Sequence, residues 1–140
     1  MSHLPFEQPV EDIVFQLICE GVHRHKIAMK ALLEDGGFSN DTSTLLYFET
    51  VYDILDALND AYIYASLSLH PKMKKVMDTL NDYCNLVGEI YEDGIFACKL
   101  TEEDVIRMST DAGKSMDLAL EISYKCVDIP DFPFSEDGKP

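Results

Sequence analysis

Residues 45–65 read LLYFETVYDILDALNDAYIYA. Their carboxylates, Glu49, Asp53, Asp56 and Asp60, recur at steps of four, three and four. That spacing places them on one face of an α-helix, where side chains three and four apart stack along the axis. At about 100° per residue, Phe48, Val51, Leu55, Leu58, Tyr62 and Ala65 fall on the opposite side and form the expected buried arc. No lysine or arginine occurs between Lys30 and Lys72, whereas Glu34, Asp35 and Asp41 extend the acidic run. A matching row, Asp78, Asp82, Glu89, Glu92 and Asp93, follows downstream. These patterns describe a helical domain with long anionic surfaces. The end of this second helix changes character, because Tyr62, Ile63, Tyr64, Leu67 and Leu69 are apolar on nearly every side. A helix apolar all round is covered all round, by its own core or by another subunit.

Upstream, Pro9 followed by Glu11 and Asp12 opens a first helix, with acids where the helix dipole favours them. Val10, Val14, Leu17, Ile18, Gly21, Val22, Met29 and Leu32 keep its period, and Gly36 and Gly37 mark its end. Asn40, Asp41, Thr42 and Ser43 supply N-cap candidates for the second helix. Pro71 breaks the chain and suits the first position of a third helix. Met73, Val76, Met77, Leu80, Tyr83, Cys84, Val87, Ile90 and Tyr91 form its stripe, and Gly94 is its expected end. Lys72, Lys74 and Lys75 at its start oppose the dipole, so an up-down-up-down bundle is expected to set them beside Glu7, Glu11 and Asp12. Thr101, with Asp104 three residues on, starts a fourth helix in capping-box style. Its inner face is small: Val105, Met108, Ser109, Ala112, Met116, Ala119, Ser123 and Cys126. Such a face lets another helix approach closely. Residues 128–140 carry Pro130, Pro133 and Pro140 with Phe132 and Phe134, and read as an extended or disordered tail. The sequence thus predicts an all-α antiparallel bundle of four main helices, one domain over 1–127, and a short extended C-terminal tail over 128–140.

A chain of 140 residues fits one domain and buries roughly two-thirds of its unfolded surface. A formal charge of −15 repels itself, and serves solubility or partner choice. It argues against direct nucleic-acid binding, which needs clustered Lys and Arg, and against an anionic membrane surface. Residues 1–6 lack the basic-then-apolar pattern of a secretory leader. The least charged stretch, 61–71, is far shorter than the ~20 apolar residues that span a bilayer. Cys19, Cys84, Cys98 and Cys126 show no Cys-x-x-Cys spacing and read as free thiols acting as small hydrophobes. The expected setting is cytoplasmic and reducing.

Several constellations bear on catalysis. Glu20 and His23 have the Glu-x-x-His spacing of di-iron bundles, but their phase puts them outside the apolar arc and no second copy exists. His25 falls inside that arc, as a core histidine does. His23 precedes Lys26 by three residues, as a phosphoacceptor histidine would, yet Ile27 stands where such bundles place glycine. Asp53 with Asp56, and Glu89 with Glu92, form acidic pairs on consecutive helices, a donor set suited to Mg²⁺. All-α nucleoside triphosphate pyrophosphohydrolases use such pairs. Both pairs point away from their apolar arcs, and no basic cluster stands beside them for phosphates. No glycine-rich phosphate loop or nucleophile elbow occurs.

Binding therefore leads catalysis, and no cofactor or metal is expected. The sequence predicts an acidic helical protein-interaction module, a non-enzymatic inhibitor or adaptor that binds a basic partner protein. Glu49, Asp53, Asp56 and Asp60 on the second helix and Asp78, Asp82 and Glu89 on the third are the expected contacts. Leu45, Tyr52 and Ile63 add apolar grip. Electrostatic complementarity favours such a pair. One form is a nucleic-acid mimic, whose carboxylate rows occupy the groove of a nucleic-acid-binding protein, as small acidic phage-encoded inhibitors do. The alternatives are the Mg²⁺-dependent pyrophosphohydrolase and a structural homo-oligomer, such as a homodimer, joined through the run from Ala61 to Leu69.

Overall fold

The computed structural model describes residues 9–34, 41–97 and 99–127, with backbone alone at Asp41, Ile95 and Phe96. Four helices follow one another: α1 Val10–Glu34, α2 Asp41–Ser66, α3 Met73–Glu89 and α4 Glu102–Tyr124. The predicted all-α bundle is the architecture observed. Gly36, Gly37, Asn40 and the tail over 128–140, with Phe132 and Phe134, lie outside the described residues.

Local chemistry accounts for the starts of α1 and α4. The carbonyl of Pro9 accepts the amides of Asp12 and Ile13 at 3.0 and 3.3 Å, so α1 starts directly after the proline. Thr101 and Asp104 form the reciprocal capping box at the start of α4, each side chain accepting the other's backbone amide at 3.1 Å. Three first-turn acids, Glu102, Glu103 and Asp104, complement the dipole there. Two ends differ from expectation. Pro71 is not the first residue of α3; Lys72 is its N-cap, without a side-chain cap bond. Gly94 does not end α3 either. The chain continues through a π-helical segment, Ile90–Phe96, closed by the amide of Ala97 on the carbonyl of Glu92 at 3.0 Å. The wider i→i+5 turn carries the backbone past the glycine.

Each helix packs on the next in sequence, and α4 returns onto α1. Contacts at one end show the directions. Phe15 near the start of α1 stacks on Tyr124 at the end of α4, with ring centroids 5.4 Å apart. Ser68, just past α2, donates to the carboxylate of Glu11. Cys126 Sγ lies 3.6 Å from Nδ1 of His70, just before α3. Starts of α1 and α3 therefore share an end with the ends of α2 and α4, which makes the bundle antiparallel. The lysines of α3 are brought to that end, and Lys72 and Glu11 act oppositely on the Cys126 thiol. Among the described residues, however, no ion pair joins Glu11 to Lys72, Lys74 or Lys75. The Ser68 hydroxyl serves Glu11 instead. Glu7 lies outside the described residues.

The core runs through all four helices and includes Val14, Ile18, Leu32, Ile54, Leu58, Leu80, Val105 and Met116. The inner face of α4 is the one its spacing predicts, from Val105 to Cys126. The buried arc of α2 is rotated from the expected one. Tyr47, Val51, Ile54, Ala57, Leu58, Ala61 and Ala65 are buried, whereas Phe48, Leu55 and Tyr62 are half-buried at its edge. The cause is packing: α2 lies closely on α1 and more sparsely on α3. Ala57, Ala61 and Ala65 form the small surface that permits the close side. On α1, a Cβ at Gly21 would come within 3.1 Å of Met116 Sδ and 3.3 Å of Leu58 Cδ2. No described helix is long and apolar enough to cross a membrane.

Candidate functional site

The rotation of α2 decides what its outer surface carries. With the arc centred on Tyr47, Ile54 and Ala61, the carboxylates Glu49, Asp53, Asp56 and Asp60 stand on the outward crest, and all four are exposed. Asp78, Asp82 and Glu89 are likewise exposed along the crest of α3. No Lys or Arg occurs within α2, and those within α3, Lys74 and Lys75, sit in its first turn. Ion pairs among the described residues lie on α1 and α4: Arg24 with Glu20, Arg107 with Asp104, and Lys125 with Glu121. The acidic rows of α2 and α3 thus face solvent without an ion pair among the described residues.

Between these crests runs the sparsely packed α2–α3 seam. Its lining comes from the half-buried edge of each helix, about 100° round from the core. Phe48, Tyr52, Leu55, Val87, Gly88 and Tyr91 line an apolar hollow of about 120 Å³ that is open to solvent. One aromatic contact closes its end: Phe48 meets Tyr91 edge-on, with centroids 5.3 Å apart and planes at 72°. Tyr91 is set there by the π-helical segment. Farther along, Leu55, Asn59, Tyr62, Leu80, Asn81 and Cys84 line a second hollow of about 540 Å³. Leu55 belongs to both. Gly88 lies where α3 runs on into the π-helical segment, with no neighbouring heavy atom of the described residues within 4 Å of the position its Cβ would take. A helix-interior glycine costs roughly 0.5–1 kcal/mol relative to alanine, and among the described residues no close contact requires that one.

The apolar residues expected to assist binding are 60% (Leu45), 63% (Tyr52) and 50% (Ile63) exposed. Of these, Tyr52 lines the seam. Within the run from Ala61 to Leu69, Ala61 and Ala65 are buried against the bundle and are unavailable to a partner. Ile63, Tyr64, Leu67 and Leu69 remain exposed. A shallow depression of about 660 Å³ crosses the crest of α3, bordered by Asp82, Glu89, Glu92 and Ser115 of α4. The pairs Asp53/Asp56 and Glu89/Glu92 are exposed on their separate helices. Among the described residues, no three His, Cys, Asp or Glu side chains converge in a geometry that could hold a metal ion. Glu20 and His23 point outward, as their phase predicts.

A buried polar cluster in the core joins α1, α2, α3 and α4. His25 is buried, its Nε2 3.0 Å from the carbonyl of Ser109 and its Nδ1 3.0 Å from the Tyr83 hydroxyl. A carbonyl can only accept, so Nε2 carries the proton and Nδ1 accepts from Tyr83. The hydroxyls of Tyr47 and Ser109 bond each other in a short contact. Burial drives the pKa of His25 down against the opposing Ser109 carbonyl and the Asp117 charge. Burial pushes Tyr47 up to about 12 and Tyr83 higher still. Every member is thus neutral at physiological pH. Gly113 makes room for this cluster, since a Cβ there would lie 3.0 Å from the imidazole. The apolar phase of α1 marks His25 as a core residue, but Tyr47, Tyr83 and Ser109 carry no local signal of their shared role. Cys19, Cys84 and Cys126 are free, and burial raises each thiol pKa, which disfavours the thiolate form. Cys98 lies outside the described residues.

No family model, curated protein or solved structure matches this chain.

Proposed function

We propose that this protein is a non-enzymatic interaction module, an inhibitor or adaptor, that binds a basic partner protein through the outer faces of α2 and α3. One observation carries this reading. Two neighbouring helices expose Glu49, Asp53, Asp56, Asp60, Asp78, Asp82 and Glu89, with no internal ion pair among the described residues. Such a field attracts a cationic surface and speeds its encounter. In the nucleic-acid-mimic form of the reading, the partner is itself a nucleic-acid-binding protein.

The test is a quadruple substitution, Glu49→Gln with Asp53→Asn, Asp56→Asn and Asp60→Asn. These side chains are exposed, so each change should move stability by no more than about 0.5 kcal/mol. Binding to a partner recovered at low salt should weaken, and association should slow steeply as salt shortens the screening length to ~8 Å. Unchanged affinity would refute the acidic-face reading. Loss of a Mg²⁺-dependent triphosphate cleavage in the same variant would replace it with the pyrophosphohydrolase. A second reading rests on the exposed Ile63, Tyr64, Leu67 and Leu69, through which two copies would pair.

A further inference from the structure

We propose that the α2–α3 seam is a docking groove for one cationic amphipathic helix of the partner, seated by two apolar anchors two turns apart. This inference rests on the basic-partner reading and names what that partner presents. Three observations support it.

The first is shape. The two hollows follow one another along α2, the first centred between Phe48 and Leu55, the second between Leu55 and Tyr62. Their centres are therefore seven residues apart, or ~10 Å at the helical rise. Side chains at i and i+7 of an incoming helix have that separation and share one face. A straight trough between two helices suits a third helix, whereas the described residues offer no strand edge for an extended peptide.

The second is charge. The first hollow is apolar, the second is mainly apolar with Asn59 and Asn81 at its lining, and both crests beside them are acidic, with Asp53 and Asp56 on one and Asp78 and Glu89 on the other. Lys or Arg on both flanks of the incoming helix would meet these rows as its apolar face descends. A second copy is a poorer occupant, because two chains of −15 repel. One cationic strip of this chain is on α1, where Lys26 and Lys30 flank the half-exposed Ile27.

The third is Gly88. It stands at the seam where α3 passes into the π-helical segment, and no described side chain fills the space where its own would be. Its bare backbone lets a partner helix come close at the first hollow.

The experiment uses the full chain and a synthetic peptide of about 18 residues, ~27 Å as a helix. The peptide carries leucines at i, i+3 and i+7 and Lys or Arg along both flanks. A scrambled peptide of the same composition is the control. The amphipathic peptide should bind saturably, with amide shifts concentrated at Leu55, Gly88 and Tyr91, and the scrambled peptide at least tenfold more weakly. Gly88→Gln should weaken the amphipathic peptide at least tenfold, while helix content and thermal midpoint stay at or above wild type, because glutamine is the better helix former. Equal binding of both peptides, insensitive to Gly88→Gln but lost in the quadruple amide variant, would overturn the groove and leave the acidic-face reading standing. Binding lost with Gly88→Gln but unmoved by the amides would keep the groove and remove the role of the α2 carboxylates. No saturable binding below about 1 mM would overturn the groove. So would self-association of the wild type abolished by Gly88→Gln, which would make a second copy's α1 the occupant.

Discussion

At the scale of single residues, His25 shows how a polar group is held in this core. Its two ring nitrogens are satisfied from two different helices, by Ser109 on α4 and Tyr83 on α3. A buried polar group left without its partner costs about 1–3 kcal/mol. Tyr83→Phe strips the partner from Nδ1 and should destabilise by that amount in urea unfolding. Combined with His25→Leu, the two changes should cost less than their sum by roughly 0.5–3 kcal/mol, the signature of a direct coupling. Additive losses would mean that the bond contributes nothing. Protonation supplies a second check. Above pH ~6.5, the ordinary histidine pKa, His25 is neutral folded and unfolded and adds no pH dependence. Below it the unfolded chain takes up a proton that the buried ring, its pKa lowered by desolvation, refuses. Stability should fall as pH drops through this window, and His25→Gln should flatten that part of the curve.

At the scale of elements, the orientation of α2 is the decisive feature. Leu80 on α3 is 1% exposed, and Leu80→Ala should cost roughly 2–5 kcal/mol. Leu55 was expected in the same buried class, yet it lines the seam half-exposed. Leu55→Ala should therefore cost markedly less than Leu80→Ala, and equal losses would put α2 back in the phase its sequence suggests. Gly88 gives the opposite sign. Gly88→Ala adds a Cβ into open space and should stabilise by about 0.5–1 kcal/mol. A loss of stability there would show that the glycine serves the fold.

At the scale of the whole molecule, charge and exposed apolar surface act against each other. A formal charge of −15 strains the compact state. Thermal stability should rise as NaCl increases from about 10 mM to 150 mM, where screening shortens from ~30 to ~8 Å, and the quadruple amide variant should rise less. Leu69 is 98% exposed beside Ile63 and Leu67 at the end of α2. If two copies pair there, size-exclusion elution should be that of a dimer, and Ile63→Asp should return it to that of a monomer. A wild-type monomer at high concentration would refute the pairing.

Local periodicity determined what a chain of this length can express without long-range contacts. The helical phase of the acidic row from Glu49 to Asp60, the inner face of α4 and the Thr101–Asp104 cap all depend on residues three or four apart, so each is legible in order along the chain. Tertiary structure decided what depends on which neighbour a helix meets. Close packing of α2 on α1 moved Phe48, Leu55 and Tyr62 from the centre of the buried arc to its edge, and so opened the seam. Passage of α3 into a π-helical turn set Tyr91 against Phe48. Assembly of His25, Tyr47, Tyr83 and Ser109 into one hydrogen-bonded cluster joined residues up to 84 positions apart. A side chain's own helix fixes its direction to within one face, but whether that face is covered depends on distances set by the packing of all four helices together.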